Sequence, residues 1–188
     1  LVQLGYTCLR PVDVHAARGN RAGAVILGSI LEAQLRRINR IDFKGESRSF
    51  SDESLRAAVA ALDVSLDDGL LRANERVLDL LLLGKSFEEE IAADRKSFTL
   101  RYVNWERPEL NVFHVAPEME IERRGSRDKC RLDLVLFVNG IPLAAIECKR
   151  PGTKDWPRDA IDQLLAYQRD DHVPQLFACA QLLLAVNQ

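Results

Sequence analysis

Three observations predict an α/β fold in which a sheet is flanked by helices. Residues 22–83 carry apolar side chains mostly at helical spacing. Residues 98–149 and 176–186 carry them at strand spacing. One helical stretch, residues 155–169, crosses between those strands, as in α/β proteins.

Taken in order, residues 1–10 (LVQLGYTCLR) read as the tail of a helix, a stop at Gly5 and a short extended piece. Residues 13–20 read as a polar connector. Apolar positions 24–27, 30, 31, 35 and 38 make residues 22–38 an amphipathic helix, followed by a loop over residues 39–49. Ser51 can cap a helix over residues 52–62. Asp67-Asp68-Gly69 breaks the chain before a second apolar helix, residues 71–83, which Gly84 stops. The period then changes. Residues 98–104 and 112–122 alternate as strands around Glu106-Arg107-Pro108, and RRGSRDKCR (residues 123–131) is a basic loop. Strands at residues 132–138 and 141–149 flank Asn139-Gly140, and residues 151–154 form a turn. Asp155 can cap a helix running to about Arg169, with Pro157 in its first turn, where proline is tolerated. Residues 172–174 break it, and residues 176–186 read as another buried strand. One domain over residues 1–188 is expected, with residues 1–96 mostly helical and residues 97–188 holding the sheet and the site.

The 188 residues are 47% hydrophobic and 29% charged, an ordinary globular balance. The formal net charge of −2 gives no global basic signature, so nucleic-acid contact would come from local patches. The four cysteines could form two disulfides. With no secretory segment and no C-x-x-C pair, reduced thiols and a cytoplasmic location are expected. Apolar runs are too short to span a membrane. The chain begins at Leu1 rather than Met and ends on Gln188 just past the apolar run LLLAV, so a piece of a longer protein is expected.

The chemistry concentrates in RLDLVLFVNGIPLAAIECK, residues 131–149. Asp133 lies near the start of one apolar strand, and Glu147-Cys148-Lys149 closes the next. Two carboxylates suit a hard divalent cation such as Mg²⁺, which polarises a phosphoryl group and acidifies water. Alternation puts Glu147 and Lys149 on one face, where an ammonium can assist the attacking water and offset charge building in the transition state. Acid-x-lysine occurs three times: Asp42-Phe43-Lys44, Asp94-Arg95-Lys96 and Glu147-Cys148-Lys149. Only the third ends an apolar strand next to another that carries an acid. Its neighbours are apolar on both faces, so a carboxylate there needs a partner or a metal.

Register poses a condition. A strict two-residue turn at Asn139-Gly140 would set Asp133 opposite Ile146 and turn Glu147 to the other face. A one-residue shift is required, for example through a three-residue loop with a G1 bulge at Gly140. Gln163 and Tyr167 share a face of the following helix. The loop's Arg124, Arg127, Lys129 and Arg131 are candidate phosphate contacts. Gly84-Lys85-Ser86 is not a phosphate loop, because the first glycine of that motif would fall at Asp79. The histidines, His15, His114 and His172, have no ligand spacing.

RLDLVLFVNGIPLAAIECKRPG followed by IDQLLAY resembles the nuclease domain of the R (restriction) subunit of type I restriction-modification enzymes. The strong part covers residues 131–167. It continues in QLFACAQLLLAVNQ and weakly upstream through VILGSILEAQLRRIN and NERVLDLLLLG. The resemblance implies a restriction-endonuclease-like core, a mixed central β-sheet flanked by helices, with a PD-(D/E)xK site. It makes Asp133, Glu147 and Lys149 catalytic, with Asp133, Glu147 and the Cys148 backbone carbonyl as Mg²⁺ ligands. Gln163 and Tyr167 become a Q-x-x-x-Y motif supporting DNA binding or the active site. Leu132 stands where the superfamily often has proline, and a further acid on an early helix would precede Leu1, with Glu32 and Glu75 as weaker stand-ins. Double-stranded DNA and the modification and specificity subunits are the implied partners, with no membrane. ATP would be used by motor domains outside this chain. The alternative reading is a docking module that holds the R subunit on the methyltransferase-specificity core.

Overall fold

The computed structural model describes residues 1–187 except residues 92 and 153. After a 3₁₀ turn at Val2–Leu4, the elements are β1 (Thr7–Cys8), α1 (Pro11–Ala17), α2 (Gly28–Ile38), β2 (Ile41–Phe43), β3 (Glu46–Arg48), α3 (Asp52–Ala60) and α4 (Leu70–Leu83). They continue with β4 (Lys85–Ile91), β5 (Asp94–Leu100), β6 (Phe113–Glu122), β7 (Lys129–Val138), β8 (Ile141–Lys149), α5 (Trp156–Tyr167), α6 (Pro174–Cys179) and β9 (Leu182–Asn187). The main sheet has the order β1-β6-β7-β8-β9. Its outer pairs, β1 with β6 and β8 with β9, are parallel, and its inner pairs are antiparallel. A mixed five-stranded sheet flanked by helices is therefore the core, as the sequence predicts.

Several local expectations give way to tertiary contacts. Residues 13–20 are not a connector: Pro11 starts α1, which buries Val14 and Ala17. The helix expected from residue 22 begins only at Gly28. The Arg18 guanidinium takes the carbonyls of Ala22 and Ala24, and Leu27 N–H donates to Gly140 O at 2.9 Å, which holds residues 22–27 out of helix. The loop over residues 39–49 contains the β2–β3 hairpin, and the part expected to be mostly helical also holds β4–β5. The strand expected at residues 98–104 runs instead over Asp94–Leu100. The strand expected from residue 176 begins only at Leu182. Pro174 does not end order but sits in the first turn of α6, where its missing N–H costs nothing. Asn74 on α4 donates to the carbonyls of Phe177, Ala178 and Ala180, satisfying the end of that helix. Asp155 occupies the N-cap of α5 but in a left-handed conformation (φ 55°), with no capping hydrogen bond from its side chain. The turn expected over residues 151–154 includes residue 153, which lies outside the described residues.

The Asn139-Gly140 turn is buried. Asn139 is 0% exposed, and its side chain accepts from Val112 N–H and donates to Tyr102 O and Asn111 Oδ1. Gly140 has φ 86°, and a Cβ there would lie 2.8 Å from Leu27 O. The residue pair that looks like an ordinary hairpin turn is thus the plug joining the central hairpin to α2 and to the segment before β6. Asn139→Ala removes the side-chain partner of Val112 N–H and of Tyr102 O and one of the two donors to Asn111 Oδ1, which keeps Asn104 N–H. It should destabilise the fold by about 3 kcal/mol and lower the melting temperature by about 6–12 °C. Thermal melting followed by circular dichroism checks this, and an unchanged midpoint would refute the plug.

Candidate metal and nuclease centre

Asn139 and Gly140 both have positive φ (53° and 86°), the two-residue turn that fits twisted antiparallel strands. Val138 accordingly pairs with Ile141 and Phe137 with Pro142. The next pair, however, is Leu136 with Ala144, so Leu143 is an extra residue on β8. The expected register shift is present, but at Leu143 rather than as a G1 bulge at Gly140. Pro142, which has no N–H to give to a ladder, lies beside the break. Leu143 O accepts from Gln181 N–H at 2.9 Å, just before β9 begins.

Beyond the bulge Leu134 pairs with Ile146, which brings Asp133 opposite Glu147 on one face. Asp133 Oδ2 accepts from Cys148 N–H at 2.8 Å. Glu147 is only 3% exposed; its Oε1 accepts from Lys149 Nζ at 3.0 Å, while Oε2 is buried with no hydrogen-bond partner. Lys149 Nζ also donates to Gln163 Oε1 at 2.6 Å. Gln163 Nε2 donates to Tyr167 OH at 2.6 Å, and that phenol donates to Arg131 O at 3.0 Å. A polar chain thus runs from β8 through one face of α5 to the start of β7. Burial, helped by the Glu147 and Asp133 charges, pushes the Tyr167 phenol up and keeps it a donor.

Burial also raises the Glu147 carboxyl above the usual carboxylate range. Lys149 opposes this, and the Asp133 charge adds to the rise. The ionised pair is therefore costly at neutral pH without a cation. An orphaned buried oxygen beside a second carboxylate fits a hard divalent ion. Among the described residues no three His, Cys, Asp or Glu side chains converge as a metal cluster.

The basic loop divides. Lys129 and Arg131 lie on the β7 face of Asp133 and meet Glu120 (2.9 Å) and Glu118 (3.4 Å). Arg124 is turned to Asp67 (3.9 Å), with its N–H on His172 O, and Arg127 is exposed on the loop. Glu118 and Glu120 carried no signal beyond strand alternation. Glu32 and Glu75 form surface pairs with Arg36 and Arg72 along their own helices. Gly84-Lys85-Ser86 leads from α4 directly into β4, not from a strand into a helix. All four cysteines are free, and no described helix is long and apolar enough to cross a membrane.

The mixed sheet flanked by helices, with an acid on one central strand and acid-x-lysine on the next, is a restriction-endonuclease-like fold. More narrowly, residues 1–188 match the family described as the type I restriction enzyme R protein N terminus, and the chain belongs to it. Two relatives come from Methanocaldococcus jannaschii. One, named the putative type I restriction enzyme MjaIXP endonuclease subunit, is 31% identical over 106 residues, 56% of this chain and 10% of the relative. The other, the putative type I restriction enzyme MjaVIIIP endonuclease subunit, is 28% identical over 176 residues, 90% of this chain and 15% of the relative. The chain therefore corresponds to a small part of either relative's length.

A carboxyl raised in the fold contributes stability that is present below its unfolded pKa and lost as pH rises through the folded one. Glu147→Gln should therefore raise the melting temperature at neutral pH in EDTA, with the gain vanishing in acid. A drop at neutral pH would contradict the crowded-carboxylate account.

Proposed function

We propose that this chain is the DNA-cleaving domain of a type I restriction enzyme R subunit, hydrolysing phosphodiester bonds with Mg²⁺ at a PD-(D/E)xK-type site. The observation that carries this is the bulge at Leu143, which puts Asp133 beside a Glu147 whose buried Oε2 has no partner. Asp133, Glu147 and the Cys148 carbonyl would hold the ion. When bound, it supplies Lewis-acid polarisation of the phosphoryl group and a lowered pKa for water.

The chain's own residues set the rest. Cys148 N–H fixes one oxygen of Asp133. Lys149, 19% exposed, is held between Glu147 and Gln163, so its ammonium is in place before substrate arrives. Tyr167 fixes the Gln163 amide and ties α5 to the start of β7. Arg131 and Lys129, on the same face as Asp133, contact phosphates without reading bases. Arg127 and Arg124 extend this towards the duplex from the loop. In the intact enzyme, cutting would be coupled to ATP-driven translocation by motor domains and directed by the modification and specificity subunits, in the cytoplasm.

A second reading, docking onto the methyltransferase-specificity core, has its own observation. Leu71, Leu78 and Leu82 are exposed on α4, and exposed Trp105 bonds to Leu81 O on the same helix. Plasmid cleavage by the complete enzyme separates the two. Asp133→Ala or Lys149→Ala should lower cutting at least about a hundredfold while ATP hydrolysis persists. Cutting at the wild-type rate would exclude the nuclease reading.

A further inference from the structure

Between α1 and the β6–β7 ribbon lies a groove of about 470 Å³. His15 of α1, Arg18 directly after it, Lys129 and Arg131 of β7, and Glu118 and Glu120 of β6 contribute to its walls. Lys129 and Arg131 alternate with buried Cys130 and Leu132, and the next residue on their face is Asp133. The groove therefore abuts the proposed cleavage site.

Its charges are held in two ways. Arg18 is 6% exposed; its Nη1 donates to the carbonyls of Ala22, Ala24 and Glu120, and its buried Nε has no partner. Its hydrogen bonds thus go to carbonyls and to no carboxylate. The two β7 cations are instead already engaged, Lys129 by Glu120 at 2.9 Å and Arg131 by Glu118 at 3.4 Å. Both pairs are at least half exposed, so each is weak and easily exchanged for another anion. A DNA phosphate can take either cation with release of its counterions, but the glutamate left behind then faces the backbone as a like charge.

We infer that this groove seats the sugar-phosphate backbone of duplex DNA beside the cut, and that Glu118 and Glu120 attenuate its affinity by occupying Arg131 and Lys129. The inference rests on the nuclease reading but is tested apart from it. Anisotropy of a labelled double-stranded oligonucleotide is titrated with the 188-residue chain in EDTA, where no cutting occurs. The pair Glu118→Gln and Glu120→Gln should bind at least about threefold tighter, with a log–log salt slope steeper by about 0.9 per regained phosphate contact. Lys129→Gln with Arg131→Gln should weaken binding and flatten the slope, and His15→Ala should weaken it more modestly. Unchanged or weaker binding by the glutamate variant, or no binding by any of these proteins, overturns the attenuated groove. Melting curves of each variant show whether a change reflects lost folding, and a folded Lys129→Gln, Arg131→Gln variant that binds as wild type overturns it as well. Tighter binding by the glutamate variant without Mg²⁺-dependent cutting by the complete enzyme would sink the nuclease reading alone. Cutting abolished by Lys149→Ala, with oligonucleotide affinity indifferent to Glu118 and Glu120, would sink the groove alone.

Discussion

A single unpaired residue, Leu143, sets the register in which β7 and β8 deliver their carboxylates. Side chains alternate across a sheet with period two, so one added residue exchanges every position beyond it between faces. Without it, Asp133 would share a face with Ile146 and Glu147 would point away. With it, the two acids meet across the strand pair and Lys149 follows on the same face. The bulge is also braced, since its carbonyl accepts the Gln181 N–H at the approach to β9.

The surroundings hold that register from both ends of the hairpin. At the turn, Asn139 spends its side-chain hydrogen bonds on Val112, Tyr102 and Asn111, and Gly140 admits Leu27 at a distance no side chain would allow. At the open end, the chain from Lys149 through Gln163 and Tyr167 to Arg131 O fastens α5 across the same strands. Between these anchors Glu147 is kept buried with one oxygen unpartnered, a cost tolerated where a cation can offset it. Functional sites are where such local penalties are expected.

The elements around the site were the most legible. Two apolar strands, an acid in the first and acid-x-lysine at the end of the second defined the carboxylate pair, and the Gln163–Tyr167 spacing defined the helix face that meets it. The need for a register shift could be worked out from residue counts, but its position could not, because Asn139-Gly140 is an equally good tight turn. Pro142 was the available signal, a residue without an N–H inside an apolar strand. Residues 22–27 have helical periodicity, yet the Arg18 guanidinium and Gly140 O claim their polar groups. Residues 176–179 read as the start of a strand, yet Asn74, distant in sequence, completes a helix there. A neighbouring guanidinium and a distant carbonyl decide the backbone in the first case and a distant amide in the second, and apolar periodicity carries no trace of them. The basic loop was legible as charge but not as pairing, since Glu118 and Glu120 sit on a strand that otherwise reads as plain alternation.

Asp133 and Glu147 are proposed to form one cation site. Its most direct test is the anomalous scattering of crystals of this chain grown with Mn²⁺. A peak bridging the Asp133 and Glu147 carboxylates, with Leu143 bulged, is the predicted result. Ordered density that shows the two carboxylates on opposite faces of the sheet, or no peak between them at saturating Mn²⁺, would contradict it.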